Sequence, residues 1–262
     1  MNLPTDTTGL LPGSAGIPAD EKIEGRRLAG KDAGAPRQWL LLDSGLRDYD
    51  FNMALDEALL EAMPRLRQPV LRFYGWSEPA ASFGYFQKHS EIERLTLLRP
   101  LVRRPTAGGL VPHDADWTYS LAFPAHGEWY TLTAIESYRR VHEWIRAAFQ
   151  RLGIHAELAP CCHKAQSGQC FAGYERDDVL WEGRKIAGAA QRRKREGLLI
   201  QGSVQPPPLR LDRQNWQRAM YDVALSELRI EWGNLRLDQL LLDRTAELAR
   251  QKYSQAGYNW KR

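Results

Sequence analysis

The stretch VLWEGRKIAGAAQRRKREGLLIQGSV (179–204) decides the fold. It reads as strands at Asp178 to Trp181, Lys185 to Ala190 and Leu198 to Val204, with Glu182-Gly183 as a hairpin turn. Lys185 sits among small residues, Gly188, Ala189 and Ala190. A lysine so flanked lines a narrow slot, although a tightly packed strand with an outward-facing lysine has the same pattern.

Upstream, Thr133 to Leu152 predicts a helix whose stripe, Ile135, Tyr138, Val141, Ile145, Ala148 and Leu152, is core, with Gly153 as its stop. Earlier still, Asp50 is placed to cap a helix running to Met63, with Pro64 ending it. Further strands are expected at Val70 to Tyr74, Ala80 to Gly84, Leu101 to Arg104, Trp117 to Phe123 and Ile154 to Leu158. Downstream, Pro206 to Pro208 are expected to end the sheet, followed by helices near Arg213 to Tyr221 and Leu237 to Tyr253. Hairpin-linked strands interrupted by a long helix define an α+β domain: a mixed, largely antiparallel sheet with packed helices.

The chain has 262 residues, 43% of them apolar, with nine Trp, enough for one large core. Residues 1–36, rich in Gly, Pro and Ala, read as a disordered leader, leaving 37–262 as the domain. No apolar run is long enough for a membrane span, and no secretory signal opens the chain. Three cysteines, Cys161, Cys162 and Cys170, exclude an extracellular disulfide framework and fit a reducing, cytoplasmic address. With His163 they lack zinc-site spacing, so no metal is expected. The net charge of +4 comes without a nucleic-acid-binding motif, so no nucleic acid is expected.

The run RRPTAGGLVPHD (103–114) holds the second functional signal. Gly108 and Gly109 let the backbone approach a ligand, and Arg103 and Arg104 can neutralise carboxylate or phosphate oxygens. Alone, a Gly pair is also ordinary hairpin punctuation. Together with Lys185 it points to a site for an acyl group or acyl phosphate.

Asn52-Met53-Ala54 with Asp56-Glu57, LRFYGWSEPAASFGYFQ (71–87), RRPTAGGLVPHD, GRKIAGAAQRR (183–193) and Lys252-Tyr253 to Trp260 resemble the lipoate-protein ligase and octanoyl-transferase family. Ala107 stands where that family usually has Gly. The resemblance implies the fold shared with biotin-protein ligases and class II synthetase cores, and the attachment of lipoyl or octanoyl groups to a lysine of lipoyl domains. The family holds two chemistries: ligases use ATP and Mg2+ to make lipoyl-AMP, while transferases pass an acyl chain through an enzyme cysteine without a cofactor.

Cys170, followed by Phe171 and fifteen residues before Lys185, looks like the transferase nucleophile, and a neighbouring cation favours a thiolate. The 77 residues after Lys185 look too few for the accessory domain of many ligases. Arg176-Asp177-Asp178-Val179 pulls the other way, resembling the segment with which ligases approach the adenylate and Mg2+. The resemblance therefore implies Cys170 and Lys185 as catalytic, and an acyl- or nucleotide-binding cleft of Arg72, Ser82, Gly84, Arg103, Arg104, Thr106, Gly108, Gly109, His113, Asp178, Gly188 and Gln191. The strands at 70–74, 80–84, 101–104 and 185–190 are expected to be sheet neighbours around it. The segment Gln166 to Tyr174 is expected to move the thiol toward Lys185. The implied partners are an acyl carrier protein or lipoyl-protein donor and an apo lipoyl-domain acceptor, received by the basic run Arg192 to Arg195. A non-catalytic family member, or one half of a two-chain ligase, is the remaining alternative.

Overall fold

A computed structural model describes residues 37–163 and 168–261; the expected leader lies outside the described residues. Among these residues, eleven strands form two sheets. They are β1 (Arg37–Arg47), β2 (Val70–Trp76), β3 (Ala80–Phe83), β4 (Leu101–Arg103), β5 (Val111–His113), β6 (Trp117–Pro124), β7 (Glu157–Leu158), β8 (Val179–Trp181), β9 (Arg184–Lys194), β10 (Gly197–Val204) and β11 (Ile230–Asn234). The large sheet runs β11-β1-β2-β6-β10-β9-β8-β7, parallel only where β1 meets β2 and β11. The small sheet runs β4-β3-β5. The α+β architecture with a mixed, mainly antiparallel sheet is as the sequence predicts.

Alternation along the strands makes the two faces of the large sheet different. Leu71 and Phe73 of β2, and Trp117, Tyr119, Leu121 and Phe123 of β6, point into the larger core. There they meet Trp144, Ile145 and Phe149 of helix α4 (Ala134–Arg151) and Trp216, Met220 and Val223 of helix α5 (Arg213–Glu227). In chain order the helices are α1 (Tyr49–Leu66), α2 (His89–Ile92), α3 (Glu128–Thr131), α4 (Ala134–Arg151), α5 (Arg213–Glu227), α6 (Gln239–Leu248), whose last turn widens into a π-helix at Ala249–Tyr253, and α7 (Ala256–Asn259). The opposite face carries Arg72, Thr118, Ser120, Gln201 and Ser203, buried but polar, beneath α1 and the small sheet. The site described below lies on this polar face.

Several local expectations are corrected. Pro64 lies inside α1, which continues to Leu66 and ends where Arg67 takes φ 57° and its N–H returns to Met63 O. A proline near a helix end removes one bond without stopping the last turn. The N-terminal flank is Asp48, and Asp50 sits within the first turn. Ile135 is 72% exposed and is not core. At 3.6 residues per turn it points about 120° away from Val141, whereas Ser137, Val141, Trp144, Ile145 and Ala148 form the buried face. Thr133 closes a capping box with Glu136, fixing where α4 starts. The prolines at 206–208 do not end the sheet, because β11 returns to pair with β1. The hairpin at Glu182-Gly183 forms as expected, both residues taking positive φ.

Candidate active site

The four strands expected as neighbours belong to different sheets. β3 and β4 pair in the small sheet, while β2 and β9 are separated in the large sheet by β6 and β10. The cleft lies between the sheets, and Ser82, Arg104, Gly108, His113, Cys170 and Gly188 line it, with Met53, Tyr74, Trp76 and Val111 as apolar wall. A polar turn thus faces an apolar trough, the usual composition of a small-molecule site.

Two glycines permit this arrangement by close approach. A Cβ on Gly84 would lie 1.9 Å from Gly108 O, so β3 and the Ala107-Gly108-Gly109 turn touch through bare backbone. A Cβ on Gly188 would lie 2.5 Å from Lys185 Cε and 2.6 Å from Nζ, so the small residues of β9 leave room for the lysine's own side chain. Gly108 itself takes φ +91°, where glycine is favoured.

The side chain of Lys185 is buried, and its ammonium has two partners: Asp178 Oδ2 at 2.7 Å and Cys170 Sγ at 3.4 Å. Phe171 adds an aromatic face 5.2 Å from Nζ. Burial works to discharge the lysine, but Cys170 and Asp178 outweigh it and raise its pKa, so Lys185 is a fixed cation. Asp178 is completely buried; Oδ1 accepts from Tyr138, and Oδ2 also accepts from the Glu175 N–H at 2.7 Å. Burial and this carboxylate push the Tyr138 hydroxyl well above its ordinary range. A divalent cation at Asp178 would have to displace the lysine, so this carboxylate does not fit a magnesium ligand. Among the described residues no three His, Cys, Asp or Glu side chains converge as a metal site.

Cys170 is half-buried and reduced, as are the exposed Cys161 and Cys162. Its N–H donates to Leu110 O and the Leu110 N–H to Gly168 O, which stitches the cysteine loop to the glycine turn. Cys170 therefore already stands beside Lys185. Residues 166 and 167 of the segment expected to move lie outside the described residues.

The guanidiniums of the two arginines before the glycine turn are held largely by main-chain carbonyls. Arg104 donates to Ala107 O, to Gly109 O and, 3.2 Å away, to Ser82 Oγ, holding the turn in shape. Burial lowers its pKa to about 10, against the opposing influence of Cys170. Arg103 donates to the carbonyls of Tyr85, Gln87, Tyr258 and Asn259, tying the C-terminal segment to β4. Arg72 pairs with Asp56 at 2.6 Å, both side chains fully buried. Thr106 donates to Gln201 Oε1, and the Gln191 side-chain amide donates to Ala134 O at the start of α4. Arg103, Arg72, Thr106 and Gln191, with Gly84 and Gly109, stand behind the lining, whereas Arg104 is part of it.

His113 is a lining residue held on three sides. Nε2 lies 2.8 Å from Ser82 Oγ, Nδ1 lies 2.8 Å from Asp116 Oδ2, and the ring stacks on Trp76 at 3.9 Å. Asp116, Trp76, Tyr138 and Gln201 are not picked out as site residues in the sequence. The available signal was an acidic residue three positions after His113 at the mouth of the β5–β6 turn.

Among the described residues no helix is long and apolar enough to cross a membrane. Of the basic run, Arg192 donates to Pro105 O, Arg193 to Ser137 Oγ and Lys194 to Glu57. Arg195, 94% exposed, pairs with Glu196.

The chain belongs to the lipoyl protein ligase A/B catalytic domain family, whose model matches residues 48–206. Among its relatives are the octanoyltransferase LipM of Geobacillus kaustophilus, 38% identical over 65% of this chain and 66% of that protein, and that of Bacillus subtilis, 37% identical over 63% and 64%. The chain spans just under two thirds of the length of these relatives. A crystal structure of lipoate-protein ligase A bound with ATP shares the fold, with a TM-score of 0.70 at 20% identity over 87% of this chain and 99% of that one. A putative lipoate protein ligase from T. acidophilum superposes with a TM-score of 0.69 at 19% identity, again over 87% and 99%.

Proposed function

We propose that this protein is an acyltransferase of protein lipoylation. It takes an octanoyl or lipoyl group from a carrier-protein or lipoyl-protein thioester onto Cys170 and passes it to a lysine of an apo lipoyl domain, without ATP or metal. The observation that carries this reading is the Lys185 ammonium, buried and fixed by Asp178, 3.4 Å from Cys170 Sγ at the edge of the cleft. A cation there favours the sulfur as thiolate, both as attacking nucleophile and as leaving group. The occupation of Asp178 by Lys185 argues against the ATP- and Mg2+-dependent alternative at this position. The similarity to octanoyltransferases LipM supports the substrate class, and free exposed thiols suit a cytoplasmic address.

In the transfer step the Cys170 thiolate attacks the donor carbonyl, the donor thiol leaves, and the acyl group rests on the enzyme as a thioester, which conserves its reactivity for aminolysis. Incubation with octanoyl-carrier protein and an apo lipoyl domain tests this, followed by mass spectrometry of both proteins with and without ATP. The expected result is ATP-independent octanoylation and an enzyme adduct that Cys170→Ala removes. Modification of the lipoyl domain only with a free acid, ATP and Mg2+ would overturn the reading.

A further inference from the structure

Aminolysis of the Cys170 thioester poses a problem that Lys185 does not solve. The acceptor lysine arrives as an ammonium and must lose a proton before it can attack. Lys185 is itself held as a cation by Asp178 and Cys170, so it has no lone pair to receive that proton.

The lining of the cleft also carries an imidazole. Asp116 Oδ2 gathers three hydrogen bonds, from Thr118 Oγ1 at 3.0 Å, Ser203 Oγ at 2.7 Å and His113 Nδ1 at 2.8 Å. A carboxylate so surrounded acts as acceptor, which places the imidazole proton on Nδ1 and leaves Nε2 as a lone pair. Ser82 Oγ, 2.8 Å away, donates to that lone pair. Arg104 donates to one acceptor position of the same oxygen, which leaves the other free toward the cleft that Ser82 and His113 line together with Cys170. The stack on Trp76 fixes the ring plane. A serine, histidine and aspartate in hydrogen-bonded series define a proton relay.

We propose that Ser82 and His113 form the relay that deprotonates the acceptor lysine, with Asp116 as the positioning residue that holds the imidazole tautomer. The proposal rests on the transferase reading and adds a second catalytic centre to it. The acceptor ammonium donates to Ser82 Oγ; its proton passes to that oxygen as the hydroxyl proton moves to His113 Nε2, giving an imidazolium paired with Asp116. The neutral amine then attacks the thioester carbonyl, forming the C–N bond. Collapse breaks the C–S bond, and the second amine proton leaves on the Cys170 sulfur, so the products are the amide, the thiol and the imidazolium.

The two half-reactions separate this role from a structural one, since only the second involves an amine. Wild type, Ser82→Ala, His113→Gln and Asp116→Asn are each mixed with octanoyl-carrier protein, and adduct formation on Cys170 is timed. Discharge of the adduct is then timed with an apo lipoyl domain and, separately, with hydroxylamine, a nucleophile uncharged at neutral pH. The expected result is an adduct in every variant, discharge to the lipoyl domain slowed by about 100-fold or more, and discharge to hydroxylamine within a few-fold of wild type. Wild-type discharge to the lipoyl domain in Ser82→Ala and His113→Gln overturns the relay, as does equal loss of both half-reactions. An octanoyl ester on Ser82 in Cys170→Ala overturns it in favour of a serine nucleophile. Absence of any adduct on wild-type Cys170 overturns the transferase reading itself, and the relay with it.

Discussion

Two buried ion pairs of nearly equal length do different things. Arg72 and Asp56 meet at 2.6 Å with both side chains fully buried. Every neighbour completes that pair: Ser44 and Asn52 accept from the guanidinium, while Tyr74, Ser120 and Gln201 donate to the carboxylate. Lys185 and Asp178 meet at 2.7 Å, but the ammonium keeps a second partner, the Cys170 sulfur. The first pair is closed and holds α1 against the sheet. The second is open on one side, and its open side is a thiol in a cleft. A buried charge becomes chemistry where one of its bonds is made to a group that can react.

The largest effect expected is at the open pair. Cys170→Ala should abolish ATP-independent acyl transfer while leaving the thermal midpoint within a few degrees of wild type, because a half-exposed sulfur supports little packing. Lys185→Ala should lose activity at least about 100-fold, but it should also destabilise by about 3–5 kcal/mol, since it leaves Asp178 buried without a counter-ion. Asp178→Asn in the Lys185→Ala background should recover stability without recovering activity. Denaturant titrations beside single-turnover assays check both halves. A Lys185→Ala variant that keeps activity within a few-fold would remove the lysine from the site.

At the closed pair the order reverses. Arg72→Met should cost about 3–5 kcal/mol and yet leave the activity of the folded fraction within a few-fold of wild type. A large loss of kcat with unchanged stability would make Arg72 a substrate ligand and erase the contrast. Gly84→Ala lies between the two regions. Its Cβ would enter the Gly108 carbonyl, so β3 and the glycine turn must part; the expected cost is about 1–3 kcal/mol, with activity down at least about tenfold. Normal activity would mean that the turn can shift without consequence for the cleft.

The contrast explains which residues the sequence could place. The cysteine and lysine were legible because their spacing and small neighbours matched a family pattern, and the strands at 179–204 because their alternation and turn were regular. Arg72, Arg103 and Arg104 share that pattern, yet sequence does not say whether a guanidinium finds a ligand or a main-chain carbonyl. All three found protein partners. Asp116 was illegible as a site residue because its meaning depends on β10, 87 residues away, bringing Ser203 to the same oxygen. β1 does not alternate because its apolar run serves both faces, Trp39 and Leu41 packing into the larger core and Leu40 and Leu42 into the cluster under α1, and β11 has a partner almost 200 positions upstream.

The smallest effect is expected where the sequence suggested the largest surface. Arg192 to Arg195 reads as a dock for an acidic lipoyl domain, but Arg192, Arg193 and Lys194 are engaged within the protein, and Arg195 extends into solvent. Solvent weakens the reach of a single exposed charge, so Arg195→Glu should lower kcat/KM for the lipoyl domain only about two- to fivefold at low salt. The loss should fade as ionic strength rises, because screening shortens the reach of an exposed charge to about 8 Å at physiological salt. Discharge of the acyl-enzyme to hydroxylamine should not change, since that nucleophile carries no acidic surface. A loss beyond about tenfold, or one that persists in high salt, would mean that the lipoyl domain displaces the internal partners of the run, and that its three engaged cations belong to the docking surface rather than to the fold.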